Sequence, residues 1–170
     1  KSLTIPSSVK TMSYAFGGCD ALEKVVINDV ESWCNISFAG DDANPLYYAK
    51  HLYLGDEEIN DLVIPNTITE IKKYAFVNGA FTSVNLPSNL TTISDYAFYG
   101  CANLQSINIP SSVTSYGDSV LTGCDNISFT EYEGGSYLGN SDNEYLVFVK
   151  PISESTDTLT LNSNVKIIAS

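Results

Sequence analysis

Three short phrases in this chain are nearly the same: Ser13-Tyr14-Ala15-Phe16-Gly17-Gly18-Cys19, Lys73-Tyr74-Ala75-Phe76-Val77-Asn78-Gly79 and Asp95-Tyr96-Ala97-Phe98-Tyr99-Gly100-Cys101. Each follows an apolar-Pro turn and precedes an apolar, strand-like run. Self-similarity at a short fixed period is the mark of a solenoid. Ile5-Pro6, Ile64-Pro65, Leu86-Pro87 and Ile109-Pro110 open successive copies, and the steps from Ile64 to Leu86 and from Leu86 to Ile109 are 22 and 23 residues. One copy of this size cannot bury its apolar side chains alone. Stacked copies place equivalent residues over one another and build one continuous core.

The apolar positions recur within each copy. Val9, Ile68, Leu90 and Val113 come first, then Met12, Ile71, Ile93 and Tyr116. The pairs Ala15-Phe16, Ala75-Phe76, Ala97-Phe98 and Val120-Leu121 follow, and then Cys19, Cys101 and Cys124. Three copies end in L-x-x-L-x-L runs: Leu22-Val25-Ile27, Phe81-Val84-Leu86 and Leu104-Ile107-Ile109. Such a run reads as a short strand pairing in parallel with its neighbours. Proline ends it because it cannot donate to the ladder. The Ala-Phe pair belongs to the return side, Ala permitting close approach and Phe filling the core. The Gly-containing interval after it suits a tight bend.

The consensus I-P-S-S-V-T-x-I-x-x-Y-A-F-x-G-C-x-x-L-x-S-I-x-I resembles the BspA-like leucine-rich repeat of bacterial surface proteins and some protozoan parasites. The best copy runs from Leu86 to Ile109. The stretch Trp33–Phe38 with Ala43–Ala49 is similar to a long variant repeat of gut-bacterial members. Val120-Leu121 in place of Ala-Phe, and a second copy without the cysteine, depart from the pattern and affect packing only. The resemblance implies a leucine-rich-repeat solenoid of the α/β class. It would carry a parallel β-sheet on one face and short helical or irregular turns on the return side. It also implies a secreted or surface-anchored, non-catalytic protein that binds protein or glycan, with adhesion as its role. The alternative is a structural spacer presenting other domains.

At 170 residues the chain accommodates about six or seven coils in a single solenoid. Neither end reads as a capping repeat, so the expectation is a fragment of a longer protein, residues 1–170 forming one unit with insertions at about 28–63 and 130–158. A net charge of -12 repels phosphate backbones and anionic membranes, so a nucleic-acid partner is not expected. No apolar run approaches a membrane span, and no signal peptide is visible. Three of the four cysteines share one repeat position, which marks them as small core residues and not a disulfide framework.

The first insertion contains Asn44-Pro45-Leu46-Tyr47-Tyr48-Ala49, a capped helical turn, then His51–Leu54, a turn at Gly55-Asp56, and a strand at Leu62–Ile64. In the second, Phe129–Tyr132 and Tyr137-Leu138 flank a Gly-Gly hairpin turn, Tyr145–Val149 is a strand, and Thr158–Leu161 resumes the solenoid. Insertions of this kind project from one face or cover a locally exposed core.

Catalytic constellations are lacking. The one histidine, His51, pairs on paper with Cys34, but a strand start is an exposed place and no third group orients the pair. No Cys/His spacing fits zinc. Asp41-Asp42 and Asp56-Glu57-Glu58 read as solvated loop tips, not calcium sites. No cofactor is expected. The resemblance points to bacteria, so the sequons at Asn35, Asn89 and Asn126 read as chance. Alternate residues of the strands face outward. They place Lys24, Val26, Ser83, Asn85, Ser106 and Asn108 on a candidate binding surface, with Tyr47, Tyr48 and Tyr53 as further contacts. Tyr14, Tyr74 and Tyr96 read as a half-buried packing ladder.

Overall fold

The computed structural model describes residues 1–152 and 158–169. The first coil contributes β1 (Ser2–Ile5) and β2 (Thr11–Met12). β3 (Lys24–Ile27) lies beside β1 in parallel, with Leu3 opposite Val25 and Ile5 opposite Ile27. The first insertion then forms α1 (Val30–Cys34), β4 (Ser37–Phe38) and α2 (Leu46–Ala49). Asp29 caps α1 by accepting from the Ser32 amide at 2.6 Å, as an N-cap carboxylate does. β4 pairs with β2, so the insertion begins in register with the coil before it and then departs.

β5 (His51–Leu54) extends the β1–β3 sheet in parallel, and β6 (Glu57–Glu58) folds back antiparallel onto it. That hairpin, at the turn expected at Gly55-Asp56, interrupts the parallel face. A second parallel sheet starts with β7 (Asp61–Val63). β8 (Glu70–Ile71), β9 (Ser83–Asn85), β10 (Thr92–Ile93), β11 (Ser106–Asn108) and β12 (Ser115–Tyr116) follow. They form two parallel ladders, β7–β9–β11 and β8–β10–β12. The second ladder occupies the Ile71–Ile93–Tyr116 positions, whose apolar periodicity was legible although pairs of two residues are too short to announce strands.

The return segments make a third ladder. Amides of Tyr74, Phe76 and Asn78 donate to carbonyls of Asp95, Ala97 and Tyr99 at 3.3, 2.9 and 2.7 Å. Those of Tyr96, Phe98 and Gly100 donate likewise to Asp118, Val120 and Thr122. Repetition therefore satisfies the backbone on every side of the coil. Inside it, the rings of Phe76 and Phe98 stack at 5.4 Å and those of Tyr74 and Tyr96 at 5.2 Å. Tyr74 and Tyr96 also take positive φ, 60° and 56°, at the bend into the return segment. At the bend out of it, Gly100 (φ 72°) has no room for a Cβ, which would strike the Asn78 side chain. In the second copy it is Asn78, not Gly79, that takes the left-handed conformation.

The first copy departs from its predicted role. Ala15 and Cys19 are not buried, Phe16 is half-buried and Tyr14 is 66 % exposed. The reason is that the following coil carries the insertion where its Ala-Phe pair would lie, so no return segment stacks there. Tyr14 instead donates its hydroxyl to Ala39 O at 3.1 Å. Cys34, Cys101 and Cys124 are buried, and all four thiols are free.

The second insertion forms β13 (Thr130–Tyr132), β14 (Gly135–Leu138) and β15 (Val147–Pro151) in antiparallel order, and β16 (Ile167–Ile168) pairs in parallel with β15. The turn is Glu133-Gly134, both at positive φ, and Gly135 is already in the strand. Thr158–Leu161, expected to resume the solenoid, form no strand, and Leu159 and Leu161 are each 37 % exposed. The adjoining apolar core is already filled from β14 and β15 by Leu138 and Val147. The part of the predicted insertion at 153–157 lies outside the described residues.

Candidate functional site

The outward side chains of the first sheet form two rows. Ser2, Lys24 and His51 share one, and Thr4, Val26 and Tyr53 the other, with Glu58 opposite Tyr53 across the hairpin. The two-residue turn Gly55-Asp56 sets that register and gathers four side chains. His51 Nδ1 lies 2.5 Å from Glu58 Oε1, and Tyr53 donates its hydroxyl to Glu58 Oε2 at 3.1 Å. Lys24 Nζ sits 4.8 Å from the Tyr53 ring centre, a cation–π contact. The hydrogen bond from His51 holds the Glu58 carboxyl below the usual carboxylate range, with Tyr53 adding to it. Donation to Glu58 pushes the Tyr53 phenol up. Lys24, Val26 and Tyr53, singled out from the sequence, thus stand together. His51 and Glu58 complete the group; sequence reading dismissed the one as exposed and the other as loop.

In the second sheet the rows are Asp61–Ser83–Ser106 and Val63–Asn85–Asn108. Ser83 Oγ and Thr82 Oγ1 both donate to Asp61 Oδ1, at 2.7 and 3.2 Å, so Ser83 serves coil stacking. Asn85, Ser106 and Asn108 are exposed, and their side chains hold no hydrogen bond among the described residues. Val63 stands 59 % exposed beside Asn85. Past Asn108 the face meets the second insertion in a shallow groove of about 240 Å³, between β11 and the β13–β14 hairpin.

Tyr47 and Tyr48 do not join either row. Their rings meet edge to face at 5.1 Å on α2, and Tyr47 O accepts from Asn78 Nδ2 at 3.1 Å. Partial burial and the nearby Asp42 push the Tyr48 phenol up. The Tyr47 carbonyl thus helps seat the insertion on the return segment that carries Asn78.

That seating is polar and specific. Trp33 Nε1 donates to Ala75 O at 2.9 Å, while Asn44 Nδ2 donates to Tyr74 O and Ala75 O at 2.8 and 3.1 Å. Asn44 Oδ1 accepts from the Leu46 amide, starting α2. The two side chains stand where a preceding return segment would supply amides, so the insertion closes the edge of the return ladder. Cys34, in α1, is buried, and burial pushes its thiol up to about 12. No hydrogen bond joins it to His51 among the described residues. Cys101 and Cys124 donate Sγ to the carbonyls of Phe76 and Phe98 at 3.1 and 3.2 Å, and burial raises the Cys101 thiol.

A cavity of about 440 Å³ lies on the return side between Val120–Asp125 and Phe129, Val149 and Lys150. The Tyr116 hydroxyl beside it is buried without a partner, and burial pushes the phenol up. Among the described residues no three His, Cys, Asp or Glu side chains gather as metal ligands, and no helix is long and apolar enough to cross a membrane.

A solved structure similar to this chain is that of a leucine-rich cell surface protein from Faecalibacterium prausnitzii A2-165, at 18% identity and a TM-score of 0.49. The likeness takes in 100% of this chain and 57% of that one. No curated protein sequence matches the chain. The family model for the BspA type leucine rich repeat region matches in 6 copies over residues 1–44 and 48–145. Its spacing is that of the strand, bend and return ladders described above, and the chain belongs to the BspA-type leucine-rich-repeat family.

Proposed function

We propose that this chain is a non-catalytic binding segment of a secreted or cell-surface protein, recognising protein or glycan in adhesion through the outward faces of its parallel sheets. One observation carries the reading. Some polar side chains of the coils, among them Ser83, Asn89, Thr91 and Asn126, are consumed by stacking, whereas Asn85, Ser106 and Asn108 stand exposed and uncommitted on one rigid sheet. Parallel ladders hold such positions at fixed spacing, which lowers the ordering cost of binding. The net charge of -12 supports a partner that is neither nucleic acid nor an anionic membrane. The extracellular placement follows the surface role that the repeat family implies.

The test is retention of the labelled chain on surfaces coated with mucin or with extracellular-matrix protein. Saturable retention that falls on Asn85→Ala and Ser106→Ala, with unchanged circular dichroism, is the expected result. Retention indifferent to both changes, or absent from every surface, would count against the proposal.

A further inference from the structure

Hydrogen bonding sorts the polar side chains of the coils into two sets. One set is spent between coils. Thr91 Oγ1 donates to Thr69 O at 3.0 Å, Asn89 Nδ2 to Asn66 O at 2.8 Å, and Asn126 Nδ2 to Ala102 O at 2.7 Å. The other set is unbonded, and four of its members meet in the groove beside β11. Asn108, Ser128, Thr130 and Ser141 all line it, and none of their side chains is hydrogen-bonded among the described residues. Glu144 is its one charged lining residue, and Ile107, Tyr137 and Leu138 form a buried floor.

The wall opposite the sheet is held in place. Asn140 Nδ2 donates to Ile109 O at 2.7 Å and to Ser111 Oγ at 3.1 Å, and its Oδ1 accepts from the amides of Asp142 and Asn143. The Gly139 carbonyl accepts the Ile109 amide at 2.9 Å. These bonds tie the segment carrying Ser141 and Glu144 to the end of β11, so the groove is formed before any ligand arrives.

From this we infer that the groove binds a neutral saccharide, one sugar ring seated between Asn108 and Glu144 and the rest of the chain running over the outward rows. The inference rests on the binding role proposed above and names the ligand class. Hydroxyl and amide side chains both donate and accept, which matches the alternating donors and acceptors of a sugar ring; Glu144 accepts from a pair of neighbouring hydroxyls. These short side chains lose little rotamer freedom on binding. A protein partner calls for Trp, Tyr or Arg anchors or an apolar pocket. The one aromatic ring here, Tyr137, is fully buried. Glu144 and the acidic chain oppose anionic sugars and phosphate.

Amide NMR of the 15N-labelled 170-residue chain tests this, with maltotriose, cellotriose and N-acetylated chitotriose as probes and trigalacturonate as the anionic comparison. Saturable shifts at Asn108, Thr130 and Ser141 with a neutral trimer are expected, weakened about tenfold or more by Asn108→Ala or Glu144→Gln. Both residues are exposed, so the variants keep the fold, and an unchanged spectrum elsewhere verifies it. Silence of the groove amides to every neutral trimer at millimolar concentration overturns the assignment, as does stronger binding of trigalacturonate. A protein ligand retained through Asn85 and Ser106 with no saccharide response overturns the groove's role and leaves the binding role standing. Failure of both kinds of ligand removes both.

Discussion

Position within the stack sets what a side chain contributes, even when its identity repeats. Phe76 and Phe98 are core residues because a return segment lies on each; Phe16, in the same phrase, is half-buried because none does. Tyr116 holds the position of Ile71 and Ile93, but its hydroxyl is buried with no partner. A buried polar group left unpaired costs about 1–3 kcal/mol. Tyr116→Phe should therefore raise stability by about 1 kcal/mol, read as a higher urea midpoint at unchanged slope. A lowered midpoint would mean the hydroxyl has a partner, such as water in the adjoining cavity. Nothing in the repeat pattern distinguishes Tyr116 as strained, because the pattern records apolar bulk and not the fate of one oxygen.

At the scale of elements, the first insertion earned the least from sequence and the most from structure. Its helical turns and hairpin were legible from Asn44-Pro45, Gly55-Asp56 and the alternation of His51–Leu54. That Trp33 and Asn44 close the return ladder was not, since their acceptors at Tyr74 and Ala75 lie some 30 to 40 residues away. Asn44→Ala strips the Leu46 amide of its partner at a fully buried site and leaves the Tyr74 carbonyl only the longer bond from the Val77 amide, and should cost about 1–3 kcal/mol by urea denaturation. A loss below a few tenths would show the ladder edge to be hydrated instead.

Asp95 joins three coils in a comparable way. It accepts the Asp118 amide from the next coil at 3.1 Å and pairs with Lys73 of the previous coil at 3.0 Å. The amide first, and Lys73 second, hold its carboxyl below the ordinary range. A depressed folded value means stabilisation that is complete above the unfolded carboxylate value, about 3.9, and is lost as pH falls through the lower folded one. The exposed ion pair contributes about 0.2–1 kcal/mol. Asp95→Asn should flatten the acid limb of the stability curve below about pH 4, and leave its shape at pH 6–8 unchanged. An identical acid limb in the variant would assign the acid sensitivity to other carboxylates.

Over the whole molecule, stability is the sum of coil and interface contributions, so the chain should not open all at once. The three ladders coincide from Glu70 to Val120, where every return segment has a neighbour. Residues 13–20 have none, and Tyr14 and Ala15 face solvent. Native-state hydrogen exchange should show the slowest amides at Phe76, Phe98 and Ile93, and fast exchange across 13–20. Uniform protection along the chain would mean cooperativity stronger than nearest-neighbour stacking provides.

The period alone determined the solenoid, the parallel pairing, the proline-ended strands and the core ladder of Ala and Phe. These are consequences of neighbours a fixed number of residues apart, and a repeat carries that information locally. The same logic placed Asn85, Ser106 and Asn108 outward, because strand alternation is local as well. Only the tertiary structure decided where the stack is interrupted, which phrase of the three lies outside the core, and that Glu58 joins Tyr53 while Ser128, Thr130, Ser141 and Glu144 meet Asn108. Those relations are made by the insertions, which break the period and pack through contacts between residues far apart in the chain.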